Sequence, residues 1–159
     1  MKEYSCCIQP KSSPSAFRLT ESDGFLTEVA FLRDGTPDAE EATTPVLKET
    51  IRQLTAYING GLTQFDLPMK LIGTSFQKRV WEALYRVPFG QTVTYGELAR
   101  IISNPGAMRA VGTALGRNPI PVIIPCHRVL AHGGRIGGFS GGLDIKRWLL
   151  AHEGIQIAP

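Results

Sequence analysis

The chain has 159 residues, of which 43% are hydrophobic and 19% charged. That balance excludes a disordered tail, a coiled coil and a collagen-like fibre, and the length suits one domain or two small ones. The net charge of +3 conceals opposite halves: residues 1–70 carry seven basic against ten acidic side chains, and residues 71–159 carry ten against four. All three histidines fall in the second half. A basic half of this kind fits an anionic partner such as nucleic acid, and it also fits an ordinary solvated surface. No apolar run approaches the roughly 20 residues of a membrane helix; the candidate Ile120–Ile124 is interrupted by Pro121 and closed by Pro125. Lys2, Glu3 and the polar residues after them show no signal-peptide pattern, so a soluble cytoplasmic protein is expected, with no membrane partner.

Ala16 to Leu32 reads as two short strands around the turn Glu21-Ser22-Asp23-Gly24. The polar stretch Asp34 to Thr44 reads as a loop. Thr44-Pro45 then opens a helix, a capping hydroxyl before a proline, with Val46, Leu47, Ile51, Leu54 and Ile58 on one face and Gly60-Gly61 at its end. Leu67 to Gly73 is a plausible linker, which divides the chain into an α+β domain over 1–70 and a second domain over 71–159.

In the second domain, Thr74 to Gln77 fits a capping box, followed by Phe76, Val80, Trp81 and Leu84 on a helical face. Thr94 to Glu97 is another capping box, before a short helix through Leu98, Ile101 and Ile102. Asn104-Pro105-Gly106 makes a turn, and Ala107 to Leu115 a further helix. The pair has the outline of a helix-turn-helix, an outline that compact helical domains also produce without binding DNA. An apolar run expected to be an extended, buried strand leads into Pro125-Cys126-His127-Arg128-Val129. A glycine-rich loop from Gly133 to Gly142 follows, and a closing helix from Leu143 to His152 turns Ile145, Trp148 and Leu149 inward.

Cys6 and Cys7 are adjacent and unsuited to bridging each other, which fits free thiols in a reducing compartment. Cys126 differs in its setting. A nucleophilic cysteine reacts as its thiolate, and a neighbouring imidazole or cation lowers the thiol pKa toward neutrality. His127 is a candidate base, Arg128 a source of positive potential, and Glu153 an orienting acid. A buried structural cysteine beside a histidine is the alternative.

Ile124-Pro125-Cys126-His127-Arg128-Val129 resembles the signature of the O6-alkylguanine-DNA alkyltransferases, also called methylated-DNA–protein-cysteine methyltransferases. The resemblance runs from about Gly73 to Gly154 through Thr74–Trp81, Gly90–Ala99, Arg109-Ala110-Val111-Gly112, Asn118-Pro119, Ser140-Gly141-Gly142 and Leu149–Gly154. It implies an N-terminal ribonuclease-H-like sheet with a helix, and a C-terminal helical domain with a helix-turn-helix and an active-site cysteine loop. It implies that Cys126 accepts an alkyl group from guanine O6 in one irreversible displacement, without a cofactor. His127, oriented by Glu153, takes the thiol proton through a water, Tyr95 hydrogen-bonds guanine N3, and Asn118 braces the turn before the cysteine. Arg109 is the finger that fills the stack vacated by the flipped base. Tyr95, Ala110, Gly112, Thr113 and Arg117 are expected against the DNA minor groove, independent of sequence, and Val129, Phe139, Ser140, Leu115 and Arg128 around the flipped base.

The expected partner is therefore double-stranded DNA carrying O6-alkylguanine, bound by a monomer, with O4-methylthymine as a further substrate. Phe139 stands where many members have tyrosine, which removes a phenol hydroxyl and keeps a stacking ring. Residues 1–70 hold no histidine, so the structural zinc of some members is not expected. Two rivals remain at this point: a turnover cysteine hydrolase, and a DNA-binding protein that senses alkylated bases without transfer.

Overall fold

The computed structural model of the chain describes residues 2–33 and 41–159. Contacts divide it into two compact units, Met1–Ile72 and Gly73–Pro159. Most of the loop expected over Asp34–Thr44 lies outside the described residues. No helix among those described is long and apolar enough to cross a membrane.

Among its described residues, the first unit is a three-stranded antiparallel sheet in the order β1 (Glu3–Ile8), β2 (Ala16–Ser22), β3 (Phe25–Leu32), with one helix, α1 (Pro45–Ile58). The β2–β3 hairpin turns at Asp23-Gly24, whose φ values of 52° and 83° are those of a two-residue turn that matches strand twist. The Glu21 carboxylate accepts from the Gly24 N–H at 2.9 Å and braces that turn. Strand β1 was not legible in the sequence: its first half is exposed, and only Cys6, opposite Leu19, is fully buried.

Helix α1 starts where Thr44-Pro45 predicts, with the Thr44 hydroxyl accepting from the Leu47 N–H at 3.3 Å. Its inward face is Leu47, Thr50, Gln53, Leu54, Tyr57 and Ile58, while Val46 and Ile51 are only half-buried. Two polar residues can lie inside because both are satisfied there. Thr50 donates to the Val46 carbonyl at 2.7 Å, and Gln53 exchanges two hydrogen bonds with the Asp66 backbone at 2.8 and 2.9 Å. The segment read as a linker is partly tied into this unit, since Leu26 pairs with Met69 through bonds to Pro68 and Lys70.

The second unit contains α2 (Ser75–Tyr85), α3 (Tyr95–Ile101), α4 (Met108–Gly116) and α5 (Leu143–His152), with a two-residue parallel pair, β4 (Val93–Thr94) and β5 (Val129–Leu130). Both capping boxes form as their spacing predicts, Thr74 with Gln77 and Thr94 with Glu97. Helix α2 buries Val80, Trp81 and Leu84, and the Trp81 indole N–H donates to the Ala114 carbonyl at 2.9 Å, which pins α2 to α4. The register Val93↔Val129 and Thr94↔Leu130 sets the first residue of α3, Tyr95, beside the chain just after Cys126.

One expectation fails. The run Ile120–Ile124 is buried but is a compact turn, not an extended strand: the Ile124 N–H donates to the Ile120 carbonyl at 2.8 Å, and Val122 sits at φ 72°. Prolines at 121 and 125 remove ladder donors, and the Asn118 amide clips both ends of the turn. Its oxygen accepts from the Ile120 N–H at 3.0 Å, and its nitrogen donates to the Ile124 carbonyl at 2.8 Å. Within the glycine-rich loop, His132–Gly134 forms a short 3-10 turn. Helix α5 buries Ile145 and Leu149 as expected, but Trp148 is half-buried, and Lys146 and Leu150 are inside instead.

The cap at Thr94 is a test of how α3 is held. Thr94→Ala should cost about 1 kcal/mol of unfolding free energy and Thr94→Gly only a few tenths, read by urea titration.

Candidate active site

Cys126 opens a 3-10 turn, Cys126–Arg128, immediately after the clipped turn, and is only 6% exposed. It lines a cavity of about 160 Å³ together with Tyr95, Gly112, Leu115, Gly116, Gly138, Phe139 and Ser140. Three different elements thus meet there: the start of α3, the end of α4 and the glycine-rich loop.

Behind the cysteine, His127 is completely buried. Its Nε2 lies 2.6 Å from Glu153 Oε2. That pairing puts the proton on Nε2 and leaves the Nδ1 lone pair available, and Nδ1 is buried with no hydrogen-bond partner in the protein. Glu153 caps the C-terminal end of α5 and is itself held from several sides. Arg128 donates Nε to Oε1 at 2.8 Å and Nη2 to Oε2 at 3.0 Å, and the Gly90 N–H donates to Oε1 at 3.0 Å. The remaining Arg128 donor, Nη1, reaches the Val87 carbonyl at 2.7 Å, with the guanidinium 5.9 Å from the centre of the Phe89 ring.

Burial dominates the protonation states. It pushes the Cys126 thiol up to about 11, against the opposing effects of the Asn118 hydrogen bond and the nearby Lys146 charge. It also lowers the His127 imidazole below its usual value, more than the Glu153 partner raises it. Burial thus acts against the expectation that His127 draws the thiol toward neutrality. The resting pair is a neutral thiol beside a neutral imidazole.

Lys146 was missed in the sequence, although a lysine one position from the inward-facing Ile145 is the available signal. It is fully buried on α5, and its ammonium donates to the Val129 carbonyl at 2.7 Å and to the Gly138 carbonyl at 3.0 Å. It thereby joins the strand after the cysteine turn to the glycine-rich loop. Burial brings its pKa down to about 8, partly offset by attraction to Cys126. Gly138 also donates its N–H to the Tyr95 hydroxyl at 3.3 Å. The neighbouring Gly137 has φ 68°, and a Cβ there would stand 3.0 Å from the Tyr95 hydroxyl, so this position has neither the conformation nor the room for a side chain.

Of the residues expected around a base, Leu115, Phe139 and Ser140 line the cavity. Arg128 does not; its guanidinium is committed to Glu153 and Val87. Val129 is also absent from the lining, and its carbonyl is engaged by Lys146. Arg109, Ala110, Thr113 and Arg117 are exposed and Gly112 half-buried on α4 and at its end, with the Thr113 hydroxyl turned back onto the Arg109 carbonyl at 3.1 Å. Asn118 acts on the turn as described.

Residues 75–155 match the family model described as "6-O-methylguanine DNA methyltransferase, DNA binding domain". A methylated-DNA–protein-cysteine methyltransferase of Methanosarcina acetivorans is 50% identical over 118 residues, which are 74% of this chain and 76% of that protein. One from Mycolicibacterium paratuberculosis is 52% identical over 103 residues, 65% of this chain and 62% of that protein. The crystal structure of the Mycobacterium tuberculosis O6-methylguanine methyltransferase superposes with a TM-score of 0.83 at 39% identity, covering 99% of this chain and 96% of that one. A DNA complex from that organism superposes equally well, at 40% identity over 94% of this chain and 91% of the other. The chain belongs to the family of methylated-DNA–protein-cysteine methyltransferases.

Lys146 predicts a pH signature. Its folded pKa, near 8, lies below the usual 10.5, so between these values the unfolded chain holds the extra proton and stability rises with pH. From pH 7 to 9, wild type should gain unfolding stability relative to Lys146→Met, measured by urea titration at each pH. A constant difference would show that the ammonium is not desolvated as described. The thiol gives a second expectation. Iodoacetamide should label Cys126 with a rate that climbs about tenfold per pH unit through pH 9 without levelling, since a thiol near 11 is far from half-ionised there.

Proposed function

We propose that this methyltransferase takes the alkyl group from O6 of guanine in double-stranded DNA onto the sulfur of Cys126, once per protein molecule. The protein repairs DNA by alkyl transfer; the acceptor, the lesion and the single turnover are the reading offered here. The observation that carries it is one cavity, sized for a single base, that holds Cys126, Tyr95 and Ser140 with the His127–Glu153 pair behind the sulfur.

The chemistry follows from the protonation states. The Cys126 thiol passes its proton to His127 Nδ1, across a water, and the sulfur attacks the alkyl carbon as the carbon–O6 bond breaks. The electron pair goes to the guanine, whose developing charge the Tyr95 hydroxyl meets at N3 and the Ser140 N–H at O6. The imidazolium formed is stabilised by the ionised Glu153, and the proton finally neutralises the departing guanine. Lys146 contributes positive potential near the forming thiolate and ties the Val129 carbonyl, just after the cysteine turn, to the Gly138 carbonyl of the cavity wall. The product is a thioether, which has no carbonyl for water to attack and no good leaving group, so the sulfur keeps the alkyl group.

The exposed face of α4 supports minor-groove binding. Ala110, Gly112 and Thr113 are small or folded back, which suits close approach to a narrow groove without base-specific readout. Arg109 is the side chain long enough to occupy the vacated stack. The antiparallel sheet and the helix α1 of the first unit agree with the ribonuclease-H-like type, over a domain of about residues 1–70, with the transferase domain following. One such domain carries both cavity and helix pair, so a monomer acting in the cytoplasm is sufficient. O4-methylthymine is included as a second substrate of the same cavity.

Incubation with duplex DNA containing O6-methylguanine should add one methyl group to the intact protein, located at Cys126 by peptide mapping. Cys126→Ala should gain none while binding the duplex within a few fold of wild type; repeated turnover or methylation elsewhere would sink the reading. Arg109→Ala should slow repair in duplex DNA far more than reaction with free O6-benzylguanine, because the unstacking cost of about a few kcal/mol then goes uncompensated only in the duplex.

A further inference from the structure

A short stretch just after α2, residues 87–90, closes around the buried ion pair behind Cys126. The Val87 carbonyl accepts from Arg128 Nη1 at 2.7 Å, and the Gly90 N–H donates to Glu153 Oε1 at 3.0 Å. Between these two, Phe89 sets the centre of its ring 5.9 Å from the guanidinium carbon of Arg128. The same ring meets the His152 imidazole in a T-shaped contact, with centres 6.3 Å apart and planes at 85°. His152 in turn stacks on Trp148, at 5.8 Å and 13°. Phe89 thus links the residue after His127 to the residue before Glu153. It is half-buried and lines no part of the cavity that holds Cys126.

We infer that Phe89 is a positioning residue for the transfer: by holding the Arg128 guanidinium, its ring keeps the Glu153 carboxylate aimed at His127 Nε2. The inference rests on the roles of Cys126 and His127 proposed above. Arg128 spends its hydrogen bonds on Glu153 and the Val87 carbonyl, and those bonds lie in the guanidinium plane. They resist sliding within that plane and leave tilting out of it soft. An aromatic ring supplies what they do not, because its negative face attracts the cation and its bulk restrains the tilt. The restraint matters when the thiol proton reaches His127. The new imidazolium then pulls harder on Glu153 Oε2, an oxygen that Arg128 Nη2 also holds at 3.0 Å. A guanidinium free to tilt lets the carboxylate turn away from Nε2 at that moment; a guanidinium held by the ring does not. Phe89 therefore acts on the speed of transfer and leaves occupancy of the cavity alone.

Labelling by free O6-benzylguanine, which needs no duplex and no base flipping, gives the test. The rate of benzyl transfer is followed by intact mass over a range of benzylguanine concentrations. Wild type is compared with Phe89→Leu, with Phe89→Tyr, and with proteins carrying trifluoro- or pentafluorophenylalanine at position 89. Phe89→Leu should lower the saturating rate about three- to tenfold at an unchanged half-saturating concentration, and Phe89→Tyr should stay within about twofold of wild type. Fluorination withdraws electron density from the ring face with little change of shape, so the saturating rate should fall stepwise from the native ring to trifluoro to pentafluoro. Fluorinated proteins as fast as wild type would show that the ring only packs, and would overturn the inference. So would a Phe89→Leu protein at the wild-type rate, or one whose loss lies in the half-saturating concentration. Should Phe89→Leu not fold, the fluorinated series decides alone. Wild type benzylated at Cys126 with a flat fluorinated series defeats this inference only; a benzyl group found on another residue defeats the assignment of Cys126, and this inference with it.

Discussion

The Glu153 carboxylate is the hub of the second unit. It is buried at the end of α5, and it gathers an imidazole and a guanidinium from the cysteine turn and a backbone N–H from Gly90, so that two other segments meet on it. A buried carboxylate of this kind is tolerated only with such a set of partners, and removing one of them leaves charge stranded in a poor solvent. The same four groups therefore serve two ends. They close the last helix onto the turn that carries Cys126, and they set the direction of the His127 ring. Arg128 belongs to this assembly and not to the base cavity, which is why its position beside the cysteine misled a reading by sequence neighbourhood.

The electrostatics around the thiol point the same way. A pre-formed thiolate would suit a cysteine that must react with many encounters, but here burial keeps the sulfur protonated and the imidazole neutral. On the proposed function, reactivity then depends on a base arriving in the cavity and bringing an electrophilic carbon to the sulfur. Such an arrangement spares the thiol from ordinary electrophiles and oxidants, whose attack follows thiolate character and exposure. Lys146 moderates the penalty without abolishing it.

Much of this was legible in the chain because local chemistry and global fold agree. Thr44-Pro45, Thr74 with Gln77 and Thr94 with Glu97 each specify a helix start by a side chain bonding to its own backbone, and Asp23-Gly24 supplies the two positive φ values of a tight hairpin. Cys126, His127 and Glu153 were identifiable by their motif. What stayed hidden was tertiary. The apolar run Ile120–Ile124 signals burial, but burial alone does not separate a strand from a turn that an asparagine clips at both ends. Strand β1 shows little alternation because it buries one residue. Lys146 breaks the usual rule that lysine faces water, and the carbonyls that satisfy it come from residues 17 and 8 positions away.

The clipped turn before Cys126 has a consequence for how such a protein must be supplied. Two prolines, a valine held at φ 72° and an asparagine bonded to both ends leave the sulfur no hinge on which to retreat. A carrier that must hand its cargo onward needs a swinging arm or a loop that opens; this sulfur is mounted like a fixed post. Once alkylated, it can neither present the group to a second acceptor nor clear the cavity for another base. On the proposed transfer to Cys126 the protein is a stoichiometric reagent, and the number of lesions a cell can reverse is set by how many unspent copies it holds and how fast it synthesises more.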